Sequence, residues 1–512
     1  MALVVLLAGG VLVWRSLADG CGGDRDKVTV IADSSMADPL KALASIASGE
    51  SCYDFRVAQV PSTDVPALLT AGGDGADLWV ADSTSRATRV TTQVRKKLDF
   101  VTKSLASSPV VVAGTALGDL ATWVDVMNLP NLQVGGPIEN SSGEVPIIGG
   151  VSAVSRRAVT PDAFSAAMAK MSIIRKNVAK AEDTDDARLK ASDASAAPAV
   201  TSEQQYLSFL RSHNGSRLAA KVPADGTVML GFPLVNTAPA GRKDLAAGAG
   251  KALASAAASG KGRKALNDAG FRNPDGTGVG DDVRLLATGD QANIDAALRS
   301  WQRISIPMRM LNLIDVSGSM RTPAGNSTRA ALVAGTVSDG TALFGNSSQV
   351  GTWIFAIDRG GNGQDWKELV PIKRLDDAES GISQRARVTS ATRDAMSTQL
   401  GGGTGLYDST LAAYRSMVES YDPTAVNTLA VITDGRNEDA QSIGLEDLLG
   451  QLRALQDPGR PVRIVALGIT DDADEASLKR IADVTGGTSY IARTPNDISG
   501  IFTTEITKWM KD

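Results

Sequence analysis

Three short oxygen-bearing side chains alternate in one tight turn of the chain: Asp315, Ser317 and Ser319. They follow directly after the apolar run 308–314, which predicts a buried strand that opens into a loop. Asp and Ser hold their oxygens near the backbone, and Gly318 lets the turn close, so the three oxygens can converge on one point. The chemistry of such a turn is the binding of a hard divalent cation. Taken alone, the pattern is equally consistent with an ordinary turn.

Two later stretches end in residues of the same kind. The glycine loop 401–405 presents the hydroxyl of Thr404 before a predicted helix, and the apolar strand 427–433 ends in Asp434. In an open α/β sheet the carboxyl ends of parallel strands lie at one edge, so loops that are distant in sequence meet there. We therefore expect one cluster of oxygen ligands, formed by Asp315, Ser317, Ser319, Thr404 and Asp434.

These five positions make the chain resemble the von Willebrand factor A family. The metal-ion-dependent adhesion site of that family combines an Asp-x-Ser-x-Ser loop, a distant Thr and a distant Asp, and each has a counterpart here. The run Gly-Gly-Thr-Gly-Leu-Tyr-Asp and the segments 433–435, 462–469 and 482–487 are also similar to the family. The resemblance covers residues 305–512 and implies a doubly wound, Rossmann-like α/β domain.

The resemblance also implies a cofactor and a partner. Three hydroxyls and two carboxylates supply hard oxygen ligands with little net charge, which suits Mg²⁺ or Mn²⁺. Ser317 and Ser319 would bind the ion directly, Thr404 directly or through water, and Asp315 and Asp434 mostly through water. One position stays open for an Asp or Glu of a protein partner, so the site would bind and not catalyse. The enzymatic alternative is a phosphatase, but its second Asp would stand where this chain has Ser317.

Composition excludes several classes of protein. The net charge of -5, without a dense Lys/Arg block, argues against a nucleic-acid partner. A single histidine, His213 in a polar run, leaves almost no means for histidine catalysis or an ordinary zinc site. The length of 512 residues predicts more than one domain.

The N-terminus and the two cysteines indicate export. Residues 2–14 are uninterruptedly apolar, short for a membrane span and typical of a signal segment, but no positively charged start precedes them. We expect residues 1–20 to be a membrane anchor or signal segment, with an uncleaved anchor favoured over a lipid anchor because Asp19 does not suit a lipoprotein cleavage site. The rest of the chain would lie outside the cytoplasm, anchored to the membrane or secreted.

Cys21 and Cys52 flank the first predicted strand and helix. A disulfide between the starts of two neighbouring strands is therefore expected, and an exported setting permits it. The alternative is a pair of unrelated thiols.

Residues 27–83 alternate as strand, helix, strand, helix and strand, which predicts a parallel sheet covered by helices. A further strand is predicted at 108–113 and another at 228–234, while 182–202, rich in Asp, Ala and Ser, is predicted to be a surface helix or loop. Residues 291–304 form a predicted linker to the second domain.

Residues 27–290 resemble the bacterial extracellular solute-binding proteins, most closely the small-anion branch that includes molybdate-binding proteins. The segments that carry this resemblance are 31–35, 76–82, 107–112, 231–234 and 269–272. The resemblance implies two α/β lobes with a cleft between them, with the chain crossing near residue 113 and returning near residue 228.

In that family the N-terminus of the first helix helps to hold the ligand, and free N–H groups with small hydroxyls make a ready anion site. The expected ligand-binding residues are Ser34, Ser35, Ser83, Ser141 and Ser142. The alternative is that these serines only cap helices, because no Arg or Lys lies in these loops.

Two hypotheses follow. In the first, an exported cell-surface protein grips a protein partner through Mg²⁺ held by its A domain. In the second, the cleft binds a small ligand and the A domain docks the protein to a transporter or envelope assembly. Neither hypothesis makes the protein an enzyme.

Overall fold

The computed structural model describes residues 21, 25–70, 75–97, 99–175, 183–195, 197–287 and 290–493, which form two compact units. Of the described residues, the first unit comprises those within 21–164 and 183–298, and the second those within 165–175 and 299–493, so the residues of helices Pro161–Arg175 and Gln291–Ser305 are divided between the two units. The predicted anchor or signal at 1–20 lies outside the described residues, as does 494–512. Within the described ranges, no helix combines the length and the apolar character that a membrane crossing needs.

The first unit contains two sheets. Five strands lie in the order β2-β1-β3-β9-β4, and in the second sheet β5 lies between β6 and β7 and also pairs with β8. The chain passes to the second sheet between Thr102 and Ser107 and returns between Gly231 and Leu234, not at residues 113 and 228. The elements are β1 (Asp26–Ala32), α1 (Ser34–Glu50), β2 (Tyr53–Gln59), α2 (Val65–Thr70), β3 (Leu78–Val80), α3 (Thr84–Val94), β4 (Asp99–Thr102), β5 (Ser107–Gly114), α4 (Trp123–Met127), α5 (Ser141–Ser155), α6 (Pro161–Arg175), α7 (Asp185–Ser195), β6 (Ala199–Ser202), α8 (Glu203–Ser212), β7 (Ala219–Lys221), β8 (Met229–Gly231), β9 (Leu234–Asn236), the 3₁₀ turn Ala240–Arg242, α9 (Lys243–Ala258) and α10 (Gly260–Asp268).

The second unit is built on one six-stranded sheet in the order β14-β13-β10-β17-β18-β19. Its strands are parallel except for β14, which runs antiparallel to β13 at one edge. The elements are α11 (Gln291–Ser305), β10 (Met308–Asp315), the 3₁₀ turn Gly318–Arg321, β11 (Pro323–Ala324), β12 (Ser327–Thr328), α12 (Arg329–Leu343), β13 (Gln349–Phe355), β14 (Trp366–Arg374), β15 (Ala378–Glu379), β16 (Ile382–Ser383), α13 (Gln384–Thr398), α14 (Leu406–Glu419), β17 (Val426–Thr433), α15 (Leu445–Ala454), β18 (Val462–Ile469), α16 (Glu475–Asp483) and β19 (Thr488–Ala492).

The core of the second unit lies on both faces of this sheet. On one face Val333 of α12 and Val388 of α13 join the buried cluster of Ile314, and on the other Tyr414 of α14 joins that of Leu313. Neighbouring residues of β10 point to opposite faces, so helices on both sides explain why the strand is buried along its whole length. The prediction of a mixed α/β fold in two parts, with a doubly wound second part, is confirmed.

The structure joins Cys21 to Cys52, with their Cα atoms 5.2 Å apart. Cys52 directly precedes β2, and Asp26 at the start of β1 donates its backbone N–H to the Cys52 carbonyl at 3.1 Å. The disulfide therefore ties the chain entering β1 to the chain entering β2.

Loss of this disulfide is expected to lower the free energy of unfolding of the first unit by about 3–4 kcal/mol, because the bond closes a 31-residue loop in the unfolded chain. Urea unfolding with and without reductant, followed by circular dichroism, measures the change. Cys52→Ser is the control and should show no further loss under reductant. An unchanged wild-type midpoint under reductant would contradict the expectation.

Candidate functional site

Asp315 ends β10 and is fully buried. Its Oδ1 accepts the backbone N–H of Ser317 at 2.7 Å, and its Oδ2 accepts the hydroxyl of Thr433 at 2.6 Å. Thr433 is available because β10 and β17 are paired up to Ile314 and Ile432, which brings their ends side by side. Burial raises the pKa of Asp315 to about 6, although the hydrogen bonds from Ser317 and Thr433 lower it. With both oxygens engaged, Asp315 fixes the loop.

The hydroxyls of the loop form a hydrogen-bonded run with the second carboxylate. The Oγ atoms of Ser317 and Ser319 are 3.0 Å apart, and Ser319 donates to Oδ1 of Asp434 at 2.8 Å. Ser317 is buried, whereas Ser319 is exposed. Around an octahedral Mg²⁺ with bonds of 2.0–2.1 Å, adjacent ligand oxygens lie about 3 Å apart. The spacing of these three oxygens fits adjacent positions of such a shell.

The glycine loop that carries Thr404 is held against the serine loop by the backbone. The N–H of Gly318 donates to the carbonyl of Gly402 at 2.9 Å. Thr404 exchanges two bonds with Glu438, donating its N–H to the carboxylate at 3.2 Å and accepting the Glu438 N–H at 2.8 Å. Its hydroxyl takes part in neither bond and lies 3.7 Å from where a Cβ would stand on Gly435. The Thr404 hydroxyl therefore lies beside the residue that follows Asp434.

The structure adds a residue that the sequence did not predict, Arg329. Its guanidinium donates to Oδ2 of Asp434 at 2.8 Å and also contacts Asp472. Arg329 and Asp434 are both buried, so this cation is a fixed part of the cluster. Arg329 follows the helix cap Thr328, so it lies in the first turn of α12, where a positive charge is unfavourable next to the helix dipole. A nearby carboxylate offsets this cost, so the position of Arg329 is a sequence signal for such a carboxylate.

In the first unit, two of the five predicted serines meet. Oγ of Ser83, before α3, and Oγ of Ser141, the first residue of α5, are 2.8 Å apart, and both side chains are buried. Ser83 also accepts the N–H of Arg86 at 3.0 Å and so caps α3. Strand β3, which precedes α3, belongs to the first sheet, and β6, which follows α5 and α7, belongs to the second. This contact joins the two lobes.

The other three serines lie in first helical turns but do not cap the helices. Asp33 caps α1, and its Oδ1 accepts both the N–H and the hydroxyl of Ser35, at 2.9 and 2.5 Å. Asn140 caps α5 by accepting the N–H of Gly143, so Ser142 is not a cap. Ser34 is exposed in the first turn of α1. Burial, and then the charge of Asp82, raise the pKa of Asp33 to about 6.

The loops of the predicted serines carry no Arg or Lys, but the neighbouring helix α3 carries two arginines that face α5 and its loop. Arg89 pairs with Glu144 of α5 at 2.7 Å, and Ser85 donates to the same carboxylate at 2.8 Å. Arg86 donates to the carbonyl of Ile138. Glu144 is only 2% exposed and the Arg89 side chain is 27% exposed, so the two lobes touch through a partly buried ion pair next to the serine contact.

Part of the chain is similar to a known family of proteins. Residues 28–272 match the family model described as bacterial extracellular solute-binding protein. An uncharacterized protein of Mycobacterium tuberculosis H37Rv is 24% identical over 547 aligned residues, covering 95% of this chain and 79% of its own. The family match supports a binding role for the first unit.

Two solved structures are similar to parts of the chain. A von Willebrand factor type A protein from Catenulispora acidiphila is 20% identical with a TM-score of 0.30, covering 40% of this chain and 43% of its own. The sulfate-binding protein SubI from Mycobacterium tuberculosis H37Rv is 16% identical with a TM-score of 0.36, covering 49% and 88%.

Proposed function

We propose that this is an extracytoplasmic binding protein whose second unit holds Mg²⁺, or Mn²⁺, and uses it to grip a carboxylate of a protein partner. The observation that carries the proposal is the 3.0 Å separation of the Ser317 and Ser319 hydroxyl oxygens, the spacing of adjacent ligands around such an ion, with Asp434 hydrogen-bonded to Ser319 at 2.8 Å. Ser317 and Ser319 would be the direct ligands. Thr404 would bind directly or through water.

The two carboxylates would act from farther out. Asp315 is already saturated by Ser317 and Thr433, and one oxygen of Asp434 is neutralised by Arg329. A bound ion with hydroxyl ligands keeps most of its positive charge and so attracts an external Asp or Glu. Ile357, 38% exposed and in contact with the Thr404 loop through a bond from its N–H to Gly403 at 2.9 Å, offers an apolar contact to the same partner.

A capture experiment tests this proposal. The full chain is used to capture proteins from a cell-envelope extract with Mg²⁺ or with EDTA, beside a variant carrying Ser317→Ala and Ser319→Ala. Extract whose carboxylates have been amidated with a carbodiimide and an amine serves as the third arm, with amine alone as its control. A specific partner should appear only with Mg²⁺, the intact serines and free carboxylates. Capture that survives EDTA or the double substitution would refute the proposal.

A second candidate function is binding of a small ligand by the first unit. Two observations favour it: the family match over 28–272, and the hydrogen bond between Ser83 and Ser141 where the two lobes meet. The hydroxyls of Ser83 and Ser141 can donate to a small oxyanion, whereas Arg86 and Arg89 of α3 are already paired with Asp82 and Glu144.

We expect a small oxyanion such as sulfate, phosphate or molybdate to raise the melting temperature of the full chain, and EDTA to leave the shift unchanged. Ser83→Ala with Ser141→Ala should remove the shift, because both hydroxyls that would meet the anion are lost. Ser51→Ala, which changes a serine outside the cleft, is the matched control. No shift with any of the three oxyanions would count against an anion ligand.

A further inference from the structure

Three carboxylates converge in the second unit away from the hydroxyl cluster. Asp365 directly precedes β14, Asp408 lies in the first turn of α14, and Asp439 lies in the loop after β17. One oxygen of each lies within 4.8 Å of the others. Three segments far apart in sequence thus bring their negative charges to one point.

No Lys or Arg in the described part of the chain balances these charges. Among the residues that the structure describes, none of the three carboxylates forms an ion pair with a Lys or Arg. Like charges at this spacing repel one another, so the arrangement is costly unless a cation joins it.

The carboxylate of Asp365 provides an independent sign of a missing ligand. Asp365 is 3% exposed; its Oδ1 accepts the N–H of Asp358 at 2.8 Å, but its Oδ2 is buried without a hydrogen bond in the described part of the chain. Oδ2 lies against the start of α14, where a Cβ on Gly405 would come within 2.2 Å of it. A buried carboxylate oxygen without a partner is expensive.

The N-terminus of α14 does not explain the cluster. Its first two N–H groups, of Leu406 and Tyr407, both donate to Oδ1 of Asn437, at 2.8 and 3.3 Å. The carboxylates are therefore not the caps of this helix, and their convergence calls for a different partner.

We propose that Asp365, Asp408 and Asp439 form a Ca²⁺ site, distinct from the Mg²⁺ site of the proposed function and independent of it. Ca²⁺ takes about 6–8 oxygen ligands at 2.3–2.6 Å, and three carboxylate oxygens within 4.8 Å of one another can lie around one such ion. Mg²⁺ is usually held by one or two carboxylates and several waters, so three protein carboxylates favour Ca²⁺. Asp408 and Asp439 are half-buried, which leaves room for water to complete the larger shell of Ca²⁺.

Such an ion would link the loops that frame the hydroxyl cluster. Asp408 follows Thr404 on the same loop and helix, and Asp439 follows Asp434 on the same loop. A Ca²⁺ ion would therefore stiffen both loops as well as the turn that carries Asp365.

The test uses the full chain with Ser317→Ala and Ser319→Ala, which silences the hydroxyl cluster. After treatment with EGTA, CaCl₂ is titrated while the melting temperature is followed, and calorimetry gives the dissociation constant. We expect a dissociation constant of about 10⁻⁴–10⁻³ M, as in extracellular Ca²⁺ modules, and a rise of about 5 °C near saturation. No rise with CaCl₂, or an equal rise with MgCl₂, would overturn the proposal.

Single substitutions separate a Ca²⁺ site from a merely structural role. Asp408→Asn and Asp439→Asn remove one repelling charge, so in EGTA these variants should melt at the same or a higher temperature than the parent, yet lose the Ca²⁺ shift. Asp394→Asn, an exposed carboxylate on α13, is the matched control and should keep it. A Ca²⁺ shift that persists in both cluster variants would overturn the proposal. Absence of Mg²⁺-dependent capture by the wild-type chain, together with a retained Ca²⁺ shift, would count against the proposed function alone.

Discussion

Replacing Ser317 and Ser319 together by alanine is expected to weaken Mg²⁺ binding on the order of 100-fold or more. Removal of an outer-shell partner of a metal ligand already costs 10–100-fold in affinity, and here two direct ligands would be lost. The fold should survive, because Ser319 is exposed and alanine fits in place of serine at both positions. Isothermal titration calorimetry of the full chain, with Ca²⁺ present to fill the carboxylate cluster, measures the change.

Ser397→Ala is the matched control, since this exposed serine of α13 donates only to the helix backbone carbonyl of Asp394, at 2.9 Å. It should bind Mg²⁺ as the wild type does. Equal affinities for the wild type and the double variant would mean that the hydroxyl cluster is not the Mg²⁺ site.

Arg329→Met is expected to act in opposite directions on stability and on Mg²⁺ affinity. Without the guanidinium, Asp434 keeps a buried negative charge with only Ser319 donating to it, which costs about 3–5 kcal/mol in EDTA. The same change removes a positive charge next to the cluster, so Mg²⁺ should bind more tightly and restore much of the lost stability. Denaturant unfolding in EDTA and in saturating MgCl₂ measures both effects.

Arg387→Met is the control for the Arg329 prediction. Arg387 pairs with Glu379, whose side chain is 61% exposed, so its loss should cost less than about 1 kcal/mol and should not depend on Mg²⁺. If Mg²⁺ stabilises the Arg329→Met variant no more than it stabilises the wild type, Arg329 does not oppose the ion.

The hydroxyl cluster was accessible to sequence reasoning because its residues are local and lie at strand ends. Asp315, Ser317 and Ser319 occupy one turn. The mostly apolar sequence of the buried strand before it shows where that turn begins. Only the prediction that Thr404 and Asp434 lie near this turn required knowledge of the fold. It followed from the rule that the carboxyl ends of parallel strands lie at one edge of the sheet. The identity of the ion stays a prediction.

Two of the strands that escaped sequence reasoning did so for a clear physical reason. β6 lies in a stretch that was predicted to be a surface helix or loop. It is buried because Val200 pairs with Val112 of β5, and the small and polar residues of β6 do not indicate this contact. β14 is an antiparallel edge strand that carries Lys367, Glu368 and Pro371, so it has no continuous apolar run. Both strands form because they pair with another strand of the sheet, and not because of a hydrophobic pattern in their own residues.

The site residues that sequence reasoning missed have the same origin. Arg329 gains its role from Asp434, and Asp365 from Asp408 and Asp439, all contacts between distant segments. In the first unit, Ser83 and Ser141 were predicted separately, but their direct contact and the neighbouring pair of Arg89 and Glu144 depend on how the two sheets are joined.

Anomalous diffraction from crystals of the protein soaked in MnCl₂ tests the hydroxyl cluster most directly. We expect a manganese peak with Ser317 and Ser319 oxygens at about 2.1–2.2 Å and a water or foreign carboxylate on its open side. A peak only at Asp365, Asp408 and Asp439, or none near Ser317, would contradict the account.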